Sequence, residues 1–306
     1  CRVNHFGDFC TGYDDPNAIG ARWPIDSFAN DGYISQAKLL VGATVGMDAP
    51  AEGRGDTVAM ALYLPGDYGP RTRLRVVPGD SSRWQTQVWT DLRHDPFFGF
   101  TDPFLESDDR PASRFGLEVL TTYYLPSARK DVMFVRFDVR NISNQAGYRL
   151  VHADVPATGF TIENIYLTPV VDADVGAPAN AERNDDNATV FPDDSLLAAY
   201  DQAFAVGNFA NGTTQKPGLV GLRLISAPAA AKALIAELGD SLTYLTNAFE
   251  DHTYALLAAG RAGTPRTQAG CVERTFALVC SPETANNVLM GWSIGPIASL
   301  APGQST

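Results

Sequence analysis

The sequence predicts a mainly β protein, built as antiparallel β-sandwiches of immunoglobulin-like style with one or two short helices. Three observations lead there. Short apolar segments alternate with period two, which marks strands with one buried face. Turn-forming stretches separate them, with 27 Gly and 20 Pro among 306 residues. Helical patterning is confined to two places. The chain is long enough for a large core, and 45% hydrophobic against 19% charged residues suits a globular protein rather than a disordered one.

The elements follow in order. Residues 1–12, CRVNHFGDFCTG, read as a tether. A first β unit with a long connection spans 13–110. Its segments 34–45 (ISQAKLLVGATV) and 57–64 (TVAMALYL) flank a Gly/Asp/Pro-rich stretch and read as a hairpin. Segments 72–77 (TRLRVV) and 84–89 (WQTQVW) alternate in part. Residues 91–110, rich in Asp, Pro and Phe and without period, read as the connection between two units. A second β-sandwich unit spans 111–306. It opens with 117–125, 132–141, 148–154 and 161–172 as strands. In VMFVRFDVRN the set Met133, Val135, Phe137 and Val139 is uniformly apolar and is expected to face the core. Helices are expected over 194–204 (DSLLAAYDQAF) and over 228–249, which opens with Pro and is rich in Ala and Leu. Residues 288–306 end on a Pro-Gly turn at 302–303 that leads toward a further strand.

Charge excludes one class of partner. A net charge of −12 with no offsetting Lys/Arg cluster argues against nucleic acid. No apolar run reaches the ~18 to 20 residues of a membrane span. Cys1 is read as a lipid anchor, because bacterial lipoprotein maturation cuts immediately before the Cys that receives the lipid. Pairing of Cys1 with Cys10 is the competing claim on its sulfur. Cys271 and Cys280 bracket CVERTFALVC, which reads as a strand or tight hairpin that a disulfide closes; two buried free thiols remain the alternative.

No nucleophile elbow, zinc-protease motif or phosphate loop is present in the sequence. The densest acidic set, Asp172, Asp174, Asp185, Asp186, Asp193 and Asp194, offers oxygen ligands for calcium, although its spacing is not that of an EF-hand. A solvated acidic loop capping a helix is the favoured reading, with calcium as the alternative. No other cofactor is implied. The aromatic residues Trp84, Trp89, Phe97, Phe98, Phe100 and Phe104 fall close together; core packing is expected for most of them, with some as interface or sugar-stacking candidates. Sequons stand at Asn141, Asn187 and Asn211; in a bacterial chain they arise by chance.

The run FGLEVLTTYYLPSARKDVMFVRFDVRNIS, with Gly116–Val119 and Asp131–Ser143, is followed by Tyr166–Gly176 and by GPIASLAPG from Gly295 to Gly303. In these the chain resembles a loose group of exported β-rich proteins from Bacteroidota, Gemmatimonadota and related bacteria. The resemblance implies export, a β-sandwich architecture and a surface or envelope role, and it transfers no catalytic residue.

These readings together set the expected function. The chain is expected to be a non-catalytic, lipid-anchored structural or accessory subunit of an envelope or membrane complex, for example an extrinsic periplasmic subunit of a respiratory or photosynthetic complex. Its partners are then the membrane, through lipid on Cys1, and other envelope proteins, at the periplasmic face or cell surface. A carbohydrate-binding or adhesive module, and a glycoside hydrolase or lyase built on dispersed carboxylates, are the alternatives.

Overall fold

A computed structural model describes residues 34, 36–49, 57–61, 73–76, 83–90, 116–124, 132–151, 153–173, 186–191, 195–201, 219–237, 254–260, 271–274, 277–280 and 288–306. The described residues are mainly strand, in antiparallel sheets, with two short helices. The strands are β1 Gln36–Val45, β2 Thr57–Ala61, β3 Arg73–Val76, β4 Arg83–Thr90, β5 Leu117–Tyr124, β6 Phe134–Asn141, β7 Ile162–Ala173, β8 Asp186–Phe191, β9 Leu196–Asp201, β10 Leu219–Arg223, β11 Ala231–Glu237, β12 Cys271–Arg274, β13 Ala277–Cys280 and β14 Val288–Leu300. The helices are α1 Ala146–Val151 and α2, residues 254–259.

Four sheets result. The largest has the order β11-β14-β7-β1-β2; the others are β3-β4-β5-β6, β10-β9-β8 and the hairpin β12-β13. The expected pairing of the first two segments is present as β1–β2, with Gly42 opposite Ala59. The ladders β1–β7 and β4–β5 join strands on either side of residue 110.

The large sheet is covered on both faces, which explains why its central strands read as apolar on alternate residues of both sets. On one face, Leu39, Val41, Ala43 and Val45 of β1 and Ile165 and Leu167 of β7 share a buried cluster with Leu117 and Val119 of β5 and Val139 of β6. Farther along that face, Ala37, Val171, Met290 and Trp292 meet Leu197 and Ala199 of β9 and Val220 of β10. On the opposite face, Leu40, Tyr166, Val170 and Leu234 pack with Leu257 of α2. Gly42 makes room there: a Cβ on it meets Leu257 Cδ1 and Tyr254 Cδ2 at 3.0 Å each.

Two irregularities adjust which residues point where. Between Gly42↔Tyr166 and Thr44↔Glu163, β7 carries one residue more than β1, and Asn164 there has φ +50°. This bulge shifts the alternation, so that Ile162 and Ile165 face the same cluster although an even separation is the strand rule. Between Ile294↔Leu167 and Ile297↔Ile165 the extra residue is on β14, at the cis Gly295–Pro296 bond. A proline inside this central strand is tolerated because the ladder is already interrupted there.

Three local expectations are corrected. The segment expected to be a helix over 194–204 contains β9, hydrogen-bonded to β8 and β10. Leu197 and Ala199, two apart, are both fully buried, a strand period. The Ala/Leu-rich run expected to be a helix from 228 contains β11, paired with β14 from Ala231↔Ile294 to Glu237↔Val288. Seven consecutive partners on a long central strand outweigh the modest helix propensity of Ala and Leu. Conversely, the strand expected over 148–154 is replaced by α1. Gln145 N donates to Ile142 O at 2.8 Å and Arg149 N to Gln145 O at 3.0 Å, so the chain turns into a helix directly after β6.

Candidate functional site

The end of β6 is organised by one buried side chain. Asn141 is fully buried, and its Nδ2 donates to Phe160 O and to Leu300 O, both at 2.8 Å. Its Oδ1 accepts from Ser143 N at 3.0 Å and Ser143 Oγ at 2.7 Å. A single amide thereby joins the ends of β6 and β14 and the segment leading into β7. It also has no free valence for a glycan, so the sequon at Asn141 is structural.

The chain leaves β14, turns at 302–303 and pairs with the outer edge of β6. Val139 and Thr306 exchange both backbone hydrogen bonds, at 2.9 and 2.8 Å, and Ser305 bridges Arg140 in antiparallel sense. The Pro-Gly turn is followed by an isolated antiparallel bridge, Ser305 with Arg140, and not by a further strand among the described residues. Beyond Val139 no described residue pairs with this edge. Along β6 the inward set is only half-buried at Met133, Val135 and Phe137 and fully buried at Val139, as the alternation predicts. Outward, Arg136 donates to Asp138 two residues on, and this hydrogen bond, followed by the charge attraction, raises the guanidinium above its ordinary pKa.

A second feature lies beyond the Val45↔Ile162 end of the β1–β7 ladder. Residues 46–49 turn there under close restraint. Gly46 N donates to Thr161 O at 2.8 Å, and the Asp48 carboxylate accepts from Thr161 N at 2.9 Å and from Thr161 Oγ1 at 2.8 Å. Ala49 is buried, yet Met47 in the same turn is 71% exposed. The same end carries α1, where Tyr148 enters the core while Leu150 stands 86% exposed. Two large apolar side chains are thus presented to solvent from restrained backbone.

A third feature is a cleft of about 500 Å³ between β8–β10 and the large sheet, lined by Val190, Ser195, Leu224, Ala229, Ala233 and Trp292. Trp292 Nε1 donates to Leu222 O at 3.0 Å, which fixes the indole as its wall. The lining side chains among the described residues are apolar apart from the Ser195 hydroxyl and the Trp292 indole, while exposed backbone polar groups make up a large part of the wall.

The residues singled out from the sequence are distributed as follows. Cys1, Cys10, Asp174, Asp185, Asp193, Asp194, Phe97, Phe98, Phe100 and Phe104 lie outside the described residues. Asp172 is on β7, opposite Gln36 and Leu289, and Asp186 is on β8, opposite Asp201, so two members of the acidic set sit in different sheets. Among the described residues no group of three His, Cys, Asp or Glu is placed to hold a metal ion. Trp84 and Trp89 are on β4, opposite Tyr123 and Glu118. Cys271 and Cys280 stand directly opposite in the β12–β13 hairpin. Sequence reasoning missed Asn141 as a joint, since Asn-Ile-Ser there reads as a sequon or a turn. It also missed Met47 and Leu150, because an isolated apolar residue carries no sign of exposure.

Among the described residues no helix is long and apolar enough to cross a membrane. Compared with family models, with curated proteins and with solved structures, the chain matches none.

Proposed function

We propose that this chain is a lipid-anchored, extracytoplasmic accessory protein that acts by contact with an envelope or membrane complex. The observation that carries the reading is the exposure of Met47 and Leu150 on two segments whose neighbours Ala49 and Tyr148 enter one buried cluster. Exposed apolar side chains on restrained backbone lose little entropy when covered, so they favour recognition of a partner surface over simple solvation. A β-sandwich architecture, as the covering of the large sheet by β5–β6 and β9–β10 supports, supplies the rigidity. Lipid on Cys1 supplies the membrane attachment, which two or three acyl chains make stable, so the protein contacts serve recognition rather than anchoring.

Intact mass spectrometry of the native protein tests the anchor: diacyl or triacyl mass on Cys1 is expected, and an unmodified thiol or a Cys1–Cys10 bridge refutes it. Native gel separation of solubilised membranes tests the contact role. The protein is expected to migrate with a larger assembly, and the double variant Met47→Ser, Leu150→Ser to migrate alone with its lipid intact. Migration of the unaltered protein as a single chain refutes the contact role without touching the anchor.

A further inference from the structure

We propose that α2 is a detachable strap that opens from the large sheet as one unit, uncovering the apolar side chains of Leu40, Tyr166, Val170 and Leu234 while the sheet stays folded. The inference rests neither on the lipid on Cys1 nor on the exposure of Met47 and Leu150.

The helix is too short to hold itself. Its six residues, 254–259, fall well below the ~12 to 15 at which an isolated helix becomes marginal in water, so α2 exists because the sheet holds it. Four strands supply the fastenings. From β7, Asn164 O accepts from Tyr254 Oη at 3.1 Å, and the Tyr166 ring meets that of Tyr254 edge-on with centroids 5.5 Å apart. From β14, Ser293 Oγ donates to Leu257 O at 2.6 Å, and from β11, Lys232 Nζ donates to Ala258 O at 2.9 Å. These two donors satisfy carbonyls at the C-terminal end of the helix, which have no partner within it. From β1, Gly42 leaves a hollow for the helix. The three atoms nearest a Cβ placed there are Leu257 Cδ1, Tyr254 Cδ2 and Tyr254 Cε2, all of them on α2.

Release leaves the sheet in order. Within α2 only Leu257 is fully buried; Tyr254, Leu256 and Ala258 are half-buried, and Ala255 and Ala259 are exposed. The bonds to Lys232 Nζ and Asn164 O lie at exposed positions, where water replaces the helix. The buried Ser293 hydroxyl keeps Thr168 Oγ1 as its partner at 3.3 Å. The sheet itself is held from its other face by the clusters built with β5, β6, β9 and β10. Opening α2 therefore gives up one buried leucine and a few hydrogen bonds, a small part of what holds the sheet. Segments fastened so lightly open locally, below global unfolding.

The test uses the full 306-residue chain and native-state amide exchange in a urea series. Gly260 N donates to Leu256 O at 3.1 Å and reports on α2 together with the helix amides. Relative to intrinsic rates, these amides are expected to exchange at least about tenfold faster than those of the β1–β7 and β14–β7 ladders. Their urea dependence should be shallower, because the opening exposes little surface. Gly42→Ala adds a methyl that presses on α2, at a strand position that Ala suits better than Gly. It is expected to lower α2 protection about five- to tenfold and to leave ladder protection unchanged or higher. Lys232→Met is expected to lower α2 protection about two- to fivefold, again without effect on the ladders. Equal protection and equal urea dependence in α2 and the ladders overturn the proposal, since α2 then leaves only when the whole sheet unfolds. So does unprotected exchange of α2 in the wild type, which means that no strap is closed. A parallel loss of protection in α2 and the ladders in either variant also overturns it.

Discussion

Replacing Asn141 tests whether one buried amide holds the two principal sheets in register. In Asn141→Ala, Leu300 O loses its 2.8 Å donor and Ser143 N–H loses its 3.0 Å acceptor. Phe160 O retains Ser143 Oγ at 3.0 Å, so two buried groups rather than three are left without the side chain. A buried donor or acceptor deprived of its partner costs about 1–3 kcal/mol, which for two groups puts the variant about 2–6 kcal/mol below the wild type. For a chain of this size that corresponds to a fall in Tm of about 3–9 °C. Asn141→Asp keeps the shape and isolates the donors. Its carboxylate faces two carbonyl oxygens in a fully buried site, so the neutral form is favoured and the folded pKa is raised above ~4. A raised carboxyl pKa means the stability is present below the unfolded value and lost as pH rises through the folded one. The deficit of Asn141→Asp should therefore shrink below pH ~4 and be full at neutrality, while that of Asn141→Ala changes little with pH. Thermal unfolding by circular dichroism between pH 3 and 8, with wild type alongside, reads both. Deficits under ~0.5 kcal/mol in both variants, or the same pH profile in both, refute the role assigned to Asn141.

Cys271 and Cys280 occupy directly opposed positions, where Cα separations of about 4.5–5.5 Å fall within the range a disulfide spans. A bridge between them is expected by non-reducing intact mass, and Cys271→Ser with Cys280→Ser should lower stability to urea by about 2–3 kcal/mol for so short a loop; quantitative alkylation of both thiols in the oxidised protein counts against it. Tyr254 Oη donates to Asn164 O at 3.1 Å, and burial, then the charge of Tyr166, holds its hydroxyl above the ordinary pKa of 10.0. The neutral form is thus the one the fold prefers, so its contribution is complete below about pH 10 and lost as pH rises through the folded value. Protection of the α2 amides relative to the base-catalysed intrinsic exchange rate should fall in that alkaline window in the wild type and stay level in Tyr254→Phe. In the β14–β7 ladder, Gly291 stands opposite Val170, and a Cβ placed on it meets Val170 Cγ1 at 2.6 Å and Pro169 O at 2.7 Å. Gly291→Ala is expected to cost about 1–3 kcal/mol in urea unfolding, since the nearest obstacle includes backbone that cannot rotate away.

What the sequence made legible follows from period two. The alternation in segment 132–141 placed the buried Val139 inward and the exposed Phe134, Arg136 and Arg140 outward, although Val132 and Asp138 of the outward set are half-buried like Met133, Val135 and Phe137 of the inward one. One residue of slip reverses every side chain of a strand that has one buried face, so such a pattern is strongly constrained and readable. Composition misled where a strand carries mostly Ala and Leu. Ala198 and Ala199 in β9, and Ala231, Ala233 and Ala236 in β11, have no branched side chains to announce a strand. Their conformation is imposed by the partner strands that flank them. The candidate site was scarcely legible at all, because exposure of Met47 and Leu150 and the commitment of Asn141 are properties of the surroundings and not of the residue types.

The same distinction explains why burial along β6 is informative when the alternation alone is not. Period two identifies an inward face but does not count the strands that cover it. That count is set by long-range pairings such as Arg140↔Ser305 and β14 with β7, whose local sequences share no common signal. Within one strand, however, burial records what faces it. Val139 belongs to the buried cluster built with β1, β5 and β7, whereas Val135 and Phe137, on the same face, border the cluster built with β9 and β10 and stay half-buried. The inward face is thus one pattern in the sequence and two environments in the fold.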